Sequence, residues 1–186
     1  YESAKEKYEF LYNQKVDLVD SKKNLETLIK EIEDVVKNSF KEAYDEIDKN
    51  FNYMCKEILN NSIGNLSLLD ETDLLESGVE LMVKFKNKKY QSLSLLSGGE
   101  KSMVAVALIM AIFMYKPSPF TFFDEIEAAL DESNTKRLLR KLKEFTDRSQ
   151  FILITHNKHT MKESDQLYGV TMNKEIGESK ILSVVL

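Results

Sequence analysis

The chain has 186 residues, enough for one domain or two small ones, so it can bury a core without disulfides. Charged residues make up 31% and hydrophobic residues 42% of the chain. This balance is too apolar for a disordered protein, and the scarcity of glycine and proline favours helices over a sandwich of short strands. The net charge of −5 excludes a generally basic nucleic-acid-binding protein, so any DNA contact needs a local patch or a larger assembly.

Cysteine content and hydropathy limit the cellular setting. The single cysteine, Cys55, cannot form an internal disulfide, and we expect it to fill the core of an intracellular protein. The longest apolar run, Met103 to Tyr115, is shorter than the roughly 20 residues of a membrane span, so it predicts a buried helix and no membrane. Because the first residues show neither a signal pattern nor an initiator Met, we expect a fragment of a longer chain.

Residues 1–61 contain no glycine or proline and predict one long helix. Apolar residues recur at steps of three and four, forming a seam of Ala4, Tyr8, Leu11, Leu18, Leu25, Ile29, Ile32 and Val36. Lys15 and Lys22 occupy two further seam positions, which favours a coiled coil with a partner helix over an ordinary bundle helix, the alternative interpretation.

The next stretch changes from helical to strand periodicity. Residues 64–78 contain turn-forming residues and predict a loop. Apolar residues then alternate from Val79 to Phe85 and the pattern resumes at Tyr90, which predicts a β-hairpin. The four lysines between Lys84 and Lys89 could contact phosphates, but we expect them to be the solvated face and tip of the hairpin.

The C-terminal half alternates strand and helix patterns, as in an α/β domain with a mainly parallel sheet. Phe120–Phe123 and Phe151–Thr155 are apolar runs that suit buried parallel strands, and residues 135–145 between them have helical spacing. Residues 166–172 and 180–186 predict a closing hairpin. The expected core is therefore a βαβ unit.

A glycine pair begins the apolar helix. Ser97 and Glu100 have capping-box spacing, so their minimal function is to satisfy free amides at the helix start. Gly98 and Gly99 leave backbone N–H groups accessible, and with the helix dipole they can also bind a phosphate.

Two acids follow the strand that ends at Phe123. Asp124 would hold Mg²⁺, and Glu125 would orient or deprotonate the water that attacks a terminal phosphate. The alternative, acids that complement a helix dipole, is reasonable for Glu127. His156 follows the next strand, where open α/β sheets bind ligands, and we expect it to contact phosphate; His159 is expected to be an ordinary surface residue.

The order of these clusters resembles the C-terminal part of an ABC-type ATPase. The stretches that carry the resemblance are LSLLSGGEK at 93–101, DEIEAALD at 124–131, ITHNK at 154–158 and YGVTM at 168–172. Within that superfamily the chain is similar to the C-terminal head lobe of SMC (structural maintenance of chromosomes) proteins. The resemblance implies a P-loop NTPase fold, with a coiled-coil neck at 1–61 and the C-terminal ATPase lobe at 62–186.

The resemblance also assigns roles to individual residues. It implies that Ser97, Gly98, Gly99 and Glu100 form the signature motif and Asp131 the D-loop aspartate, which cap a nucleotide held by a second head. Asp124 and Glu125 would be the Walker B pair and His156 the switch histidine, so that ATP and Mg²⁺ are the implied cofactors.

One motif of the superfamily is missing. No Gly-x-x-x-x-Gly-Lys-[Ser/Thr] occurs in the sequence, and Lys101-Ser102 lacks the preceding glycine, so the chain alone is not expected to bind ATP well. The resemblance implies that an N-terminal lobe supplies this P-loop. It further implies a second SMC head, identical or related, a kleisin subunit, and DNA in the full complex.

The implied function is ATP hydrolysis between two engaged heads that drives chromosome condensation, cohesion or segregation. The implied location is intracellular and chromosome-associated, in cytoplasm, nucleoid or nucleus. A repair ATPase for DNA double-strand breaks and a non-enzymatic coiled-coil protein are the alternatives. A transporter subunit is disfavoured, because Ile126 and Glu127 replace the usual Pro-Thr.

Overall fold

The computed structural model describes residues 2–70, 72–86, 88–173 and 177–184. The helices are α1 (Glu2–Ile58), α2 (Gly98–Tyr115), α3 (Glu132–Glu144) and α4 (Lys158–Glu163). The strands are β1 (Ile63–Leu68), β2 (Val79–Lys84), β3 (Gln91–Ser92), β4 (Phe120–Asp124), β5 (Gln150–Ile154), β6 (Leu167–Asn173) and β7 (Glu178–Val184).

The chain divides into two compact units. The first contains the residues up to Asp45 and the loop Asp70–Gly78, and the second contains Glu46–Leu69 and the chain from Val79 onward. In the first unit the predicted helix is confirmed, and its apolar seam is exposed, with Leu18 at 70% and Leu25 at 59%. An exposed apolar seam of this kind is typical of a helix that pairs with another helix. No such partner is present among the described residues, so the coiled coil stays a prediction.

The predicted loop at 64–78 is only partly correct, because its first residues form β1 in the second unit. β1 pairs antiparallel with β2, placing Gly64 opposite Val83 and Leu66 opposite Leu81. Gly64 and Leu66 are buried on one face of the strand. The turn-like composition of this segment is overridden by pairing with β2, a contact that local sequence does not reveal.

Gly64 is required because α1 passes close to its backbone. A Cβ atom at this position would lie 2.5 Å from Cys55 Sγ and 2.8 Å from the ring of Phe51. Both side chains are fully buried, and burial raises the pKa of the Cys55 thiol to about 12. The expected role of Cys55 as a core residue is confirmed.

We expect Gly64→Ala to destabilise the protein by about 1–3 kcal/mol, because the methyl group forces Phe51 and Cys55 out of their packed positions. Urea denaturation measures the change. Gly98→Ala is the matched control, since a Cβ there meets nothing within 4 Å. Equal stabilities of the two variants would contradict the packing argument.

The predicted β2–β3 hairpin is confirmed, with Val83 opposite Gln91. Lys84, Lys86, Lys88 and Lys89 are exposed, as expected for a solvated hairpin face.

The core of the second unit is built from buried residues of the end of α1 together with α2, α3 and β4. Its aromatic centre is Phe113 of α2, whose ring centroid lies 5.6 Å from that of Phe145 and 5.4 Å from that of Phe151. Phe151 in turn stacks on Phe123 at 6.1 Å. Aromatic pairs at these separations attract beyond the area that they bury, so the cluster fixes β4 and β5 against α2.

The predicted helix is confirmed as α2, but it is only partly buried, since Ile109 and Ile112 are exposed. Its 18 residues have a mean hydropathy of 1.4, which by length and composition would suffice to cross a membrane. Seven of its side chains, Met103, Val104, Val106, Ala107, Met110, Ala111 and Phe113, are buried within the described chain. We therefore interpret α2 as the core helix of this unit.

A buried lysine joins α3 to the end of α1. Lys141 Nζ lies 2.7 Å from Glu57, 2.9 Å from Glu144 and 3.0 Å from the Tyr53 hydroxyl. Burial alone would lower the pKa of Lys141, but its hydrogen bonds to Glu57, Tyr53 and Glu144 outweigh that effect and raise the pKa. Lys141 is therefore charged at neutral pH and anchors α3.

The expectation of a mainly parallel sheet is wrong for the described residues. Only β4 and β5 pair in parallel, through the predicted βαβ crossover, whereas β1–β2–β3 and β6–β7 are antiparallel. Strands joined by short turns pair antiparallel, and parallel pairing needs a crossover such as α3. The predicted closing hairpin is confirmed by the antiparallel pairing of β6 and β7, and residues 174–176 and 185–186 lie outside the described residues.

The β4–β5 sheet is buried on one face only. Phe123 packs into the core, while the opposite face leaves Phe122 67% and Ile154 57% exposed. We predicted buried parallel strands, but among the described residues nothing covers this second face. Parallel sheets are normally covered on both sides, so this sheet lacks a layer.

Candidate nucleotide site

The first part of the candidate site is the N-terminus of α2. Ser97 is the N-cap, and its backbone N–H and hydroxyl donate to Glu100 Oε2 at 3.0 and 2.8 Å, confirming the predicted capping box. These bonds from Ser97, with a smaller contribution from Lys88, hold the pKa of Glu100 below its usual value. Lys88 Nζ lies 3.2 Å from Glu100 Oε1, a contact that the sequence did not reveal.

Asp131 lies in the same groove as Gly99, the second residue of the glycine pair. A groove of about 460 Å³ is lined by Gly99, Glu100, Ala129 and Asp131, with Lys86 also on its wall. Asp131 is the N-cap of α3, where its Oδ1 accepts the backbone N–H of Asn134 at 2.8 Å. Two helix N-termini therefore contribute to this groove, an arrangement that favours a negatively charged group.

The second part of the site lies at the carboxyl end of β4. Asp124 is the last residue of the strand, and its side chain is exposed rather than sealed in the core. Glu125 follows with φ of 46°, in the left-handed region that non-glycine residues rarely adopt. Its backbone is held there because its N–H donates to Ile154 O and its carbonyl accepts from Ala128, each at 2.9 Å. Such strain is common at functional sites.

His156 and Glu125 contact each other directly. His156 follows β5, and its Nδ1 lies 3.2 Å from Glu125 Oε1. Both side chains are exposed, so a ligand can reach both. His159 Nε2 lies 3.3 Å from Glu132, in a position outside this pair.

The predicted site residues thus form two groups. Gly99, Glu100 and Asp131 line the groove, with Ser97 bonded to Glu100, while Glu125 and His156 are paired beyond β4 and β5.

Glu127 is the residue whose environment the sequence did not predict. The sequence suggested for it only the alternative of complementing a helix dipole, but its side chain is 5% exposed. Its Oε1 accepts hydrogen bonds from the hydroxyls of Thr155 and Thr160. Thr155 and Thr160 lie far from Glu127 in the sequence, and no local sequence pattern predicts their hydrogen bonds to it.

Asp124 is compatible with magnesium. Mg²⁺ is typically bound through one or two carboxylates together with waters and substrate phosphates. The described residues contain no group of three or more His, Cys, Asp or Glu arranged around one metal position. A single exposed carboxylate therefore fits Mg²⁺ only where nucleotide phosphates complete the coordination.

Comparison with known proteins places the chain in a family. A family model described as RecF/RecN/SMC N terminal domain matches residues 4–178. The chain belongs to the RecF/RecN/SMC family. A chromosome partition protein Smc from Fusobacterium nucleatum is 61% identical over 183 residues, covering 98% of this chain and 16% of the relative.

Solved SMC structures share the fold. The Smc head domain with an extended coiled coil from Pyrococcus furiosus, bound to the C-terminal domain of ScpA, is 34% identical with a TM-score of 0.80; the match covers 100% of this chain and 46% of that one. A structure from work on ATP-driven dimerization of SMC ATPases is also 34% identical, with a TM-score of 0.72, over 80% of this chain and 89% of that one. The fold is therefore that of an SMC ATPase head.

The chain spans 16% of the length of the Fusobacterium Smc protein, so it corresponds to a small part of an SMC protein. The description of the matching family model names an N-terminal domain. The expected assignment to the C-terminal lobe is therefore not established by the match.

Proposed function

We propose that this SMC family chain supplies the half of an ATPase head that carries the signature motif, Walker B and switch histidine. In this proposal the chain is the C-terminal lobe, and a separate N-terminal lobe contributes the P-loop. Two such heads would bind and hydrolyse ATP between them, in a chromosome-associated, intracellular protein that acts in chromosome partition.

The observation that carries the proposal is the missing layer on the β4–β5 sheet. Phe122 and Ile154 are exposed on the face of the sheet that ends in Asp124. The sequence also contains no P-loop. A lobe that covers this sheet would supply both the buried environment that parallel strands require and phosphate-binding groups beside Asp124.

The two groups of site residues suit two different nucleotides. Asp124, Glu125 and His156 would act on the ATP held by the chain's own N-terminal lobe, while Ser97, Gly98, Gly99, Glu100 and Asp131 would cap the ATP of a second head. Bound Mg²⁺ would neutralise phosphate charge. Glu125 would accept the proton of the attacking water, and His156 would contact the terminal phosphate.

The comparisons also support partners. The Pyrococcus Smc head is bound to ScpA, which supports a kleisin-type subunit for this protein. ATP-driven dimerization of related SMC ATPases supports a second head, whether identical or related. We further propose that DNA is a partner of the full complex rather than of this acidic chain alone.

Reconstitution tests the proposal. This chain by itself should release no phosphate from Mg-ATP, and adding the N-terminal segment of the same protein should restore hydrolysis. The matched control is the same segment with its P-loop lysine replaced by alanine, which should restore none. Hydrolysis by this chain alone, or equal hydrolysis with the control segment, would refute the shared site, and no hydrolysis with either would favour a structural protein.

A further inference from the structure

A buried carboxylate connects the two loops that carry the candidate catalytic residues. Glu127 lies two residues after Glu125, in the loop between β4 and α3, and is 5% exposed. Thr155, the first residue after β5, and Thr160 in α4 donate hydrogen bonds from their hydroxyls to Glu127 Oε1, the second at 2.9 Å. Thr155 immediately precedes His156.

We propose that Glu127 is a positioning residue that fixes His156 relative to Glu125 and thereby sets the rate of ATP hydrolysis. The inference rests on the proposed function, because it takes Glu125 and His156 to be the groups that act on ATP. Glu127 itself touches neither the nucleotide groove nor the exposed pair in the described structure.

The hydrogen bonds form a continuous chain through both loops. The Thr155 hydroxyl donates its proton to Glu127, and its oxygen accepts the Asn157 N–H at 2.9 Å. Asn157 Oδ1 in turn accepts the His159 N–H at 2.8 Å and caps α4. The backbone on both sides of His156 is therefore fixed by bonds that begin at Glu127.

The exposed pair needs this support. Glu125 and His156 are solvent-accessible and meet in one contact of 3.2 Å, which is too weak in water to hold two side chains in one geometry. The positions of both side chains therefore depend on the backbone of their loops. These two loops are connected by the hydrogen bond from the Glu125 N–H to Ile154 O and by the hydrogen bonds from Thr155 and Thr160 to Glu127. Removing the Glu127 carboxylate leaves the buried Thr160 hydroxyl and the half-buried Thr155 hydroxyl without their acceptor and frees the loop before His156.

Steady-state kinetics of the full-length protein test the role. Glu127→Ala should lower kcat by about 10- to 100-fold, as expected when a catalytic group is misplaced, with KM for ATP changed by less than about threefold. Glu127→Gln keeps an amide oxygen that can accept from both threonines, so it should retain kcat within about threefold. The matched control is Asp48→Ala, which removes a 2.6 Å bond from the Leu66 N–H outside the site and should leave kcat unchanged.

The outcomes separate the two proposals. Equal kcat for Glu127→Ala and the Asp48→Ala control would overturn the positioning role. Glu125→Gln is measured alongside. If it is inactive while Glu127→Ala is as fast as wild type, only the positioning role fails. If Glu125→Gln is fully active, the proposed function fails as well.

A second variant tests the role if Glu127→Ala does not fold. Thr160→Val removes one of the two donors to Glu127 and should lower kcat by about threefold or more, whereas Thr160→Ser keeps the hydroxyl and should retain the wild-type kcat. A Thr160→Val variant with wild-type kcat would overturn the proposal.

Discussion

Replacing Glu125 by glutamine should reduce ATP hydrolysis by the full-length protein about 10²- to 10⁴-fold, while nucleotide-driven head engagement persists. An amide has nearly the size of the carboxylate but cannot accept a proton from the attacking water. Glu125 is exposed beside His156, at 3.2 Å, where an incoming nucleotide can reach it. Phosphate release measures turnover, and ATP-dependent crosslinking of two heads measures engagement.

A matched substitution shows that the loss is specific to this position. Glu163→Gln removes another exposed glutamate, which pairs with Lys143 at 2.7 Å, and should leave turnover within about twofold of wild type. Unchanged hydrolysis in Glu125→Gln, or an equal loss in both variants, would exclude Glu125 as the catalytic base.

Ser97→Arg should have the second-largest effect, by preventing two heads from engaging. Ser97 is exposed at the start of α2 and bonded to Glu100, which lines the groove with Gly99 and Asp131. In the proposed function the other head's terminal phosphate enters this space, and an arginine side chain would overfill it at a cost of about 1–3 kcal/mol or more. Engagement should weaken by at least about 10- to 100-fold, measured by size-exclusion chromatography with ATP.

Ser94→Arg is the control for this substitution. Ser94 is also exposed and lies three residues upstream, where its hydroxyl contacts Ser92 rather than Glu100. The added charge is the same, so normal engagement is expected. If Ser97→Arg dimerises with nucleotide as well as the wild type does, the N-terminus of α2 is not a phosphate-binding site.

The fold was predictable where local sequence decides it. The Ser97–Glu100 capping box and the apolar run of α2 are determined within one helix, and the βαβ unit follows from strand and helix periodicity. β1 was missed because Gly64 resembles a turn residue and its strand character depends on pairing with β2. The expected mainly parallel sheet failed because the described residues contain only one crossover pair.

The positions of the candidate site were predictable to the same extent. Asp124, Glu125 and His156 are recognisable because they lie at or just beyond the ends of apolar strands: Asp124 is the last residue of β4, and His156 is the second residue after β5. The left-handed backbone of Glu125 and the burial of Glu127 depend on bonds to residues about 30 positions away, such as Ile154 and Thr155. A local pattern carries no information about such partners.

The open face of the β4–β5 sheet also affects the biogenesis of the protein. Phe120, Phe122 and Ile154 form an apolar surface that attracts other exposed chains until something covers it. If the segment that covers this sheet is far away in the sequence, a long loop must close before the two segments meet, and this slows their association. Newly made chains would then depend on chaperones, and co-expression with the covering segment should raise the soluble yield of each.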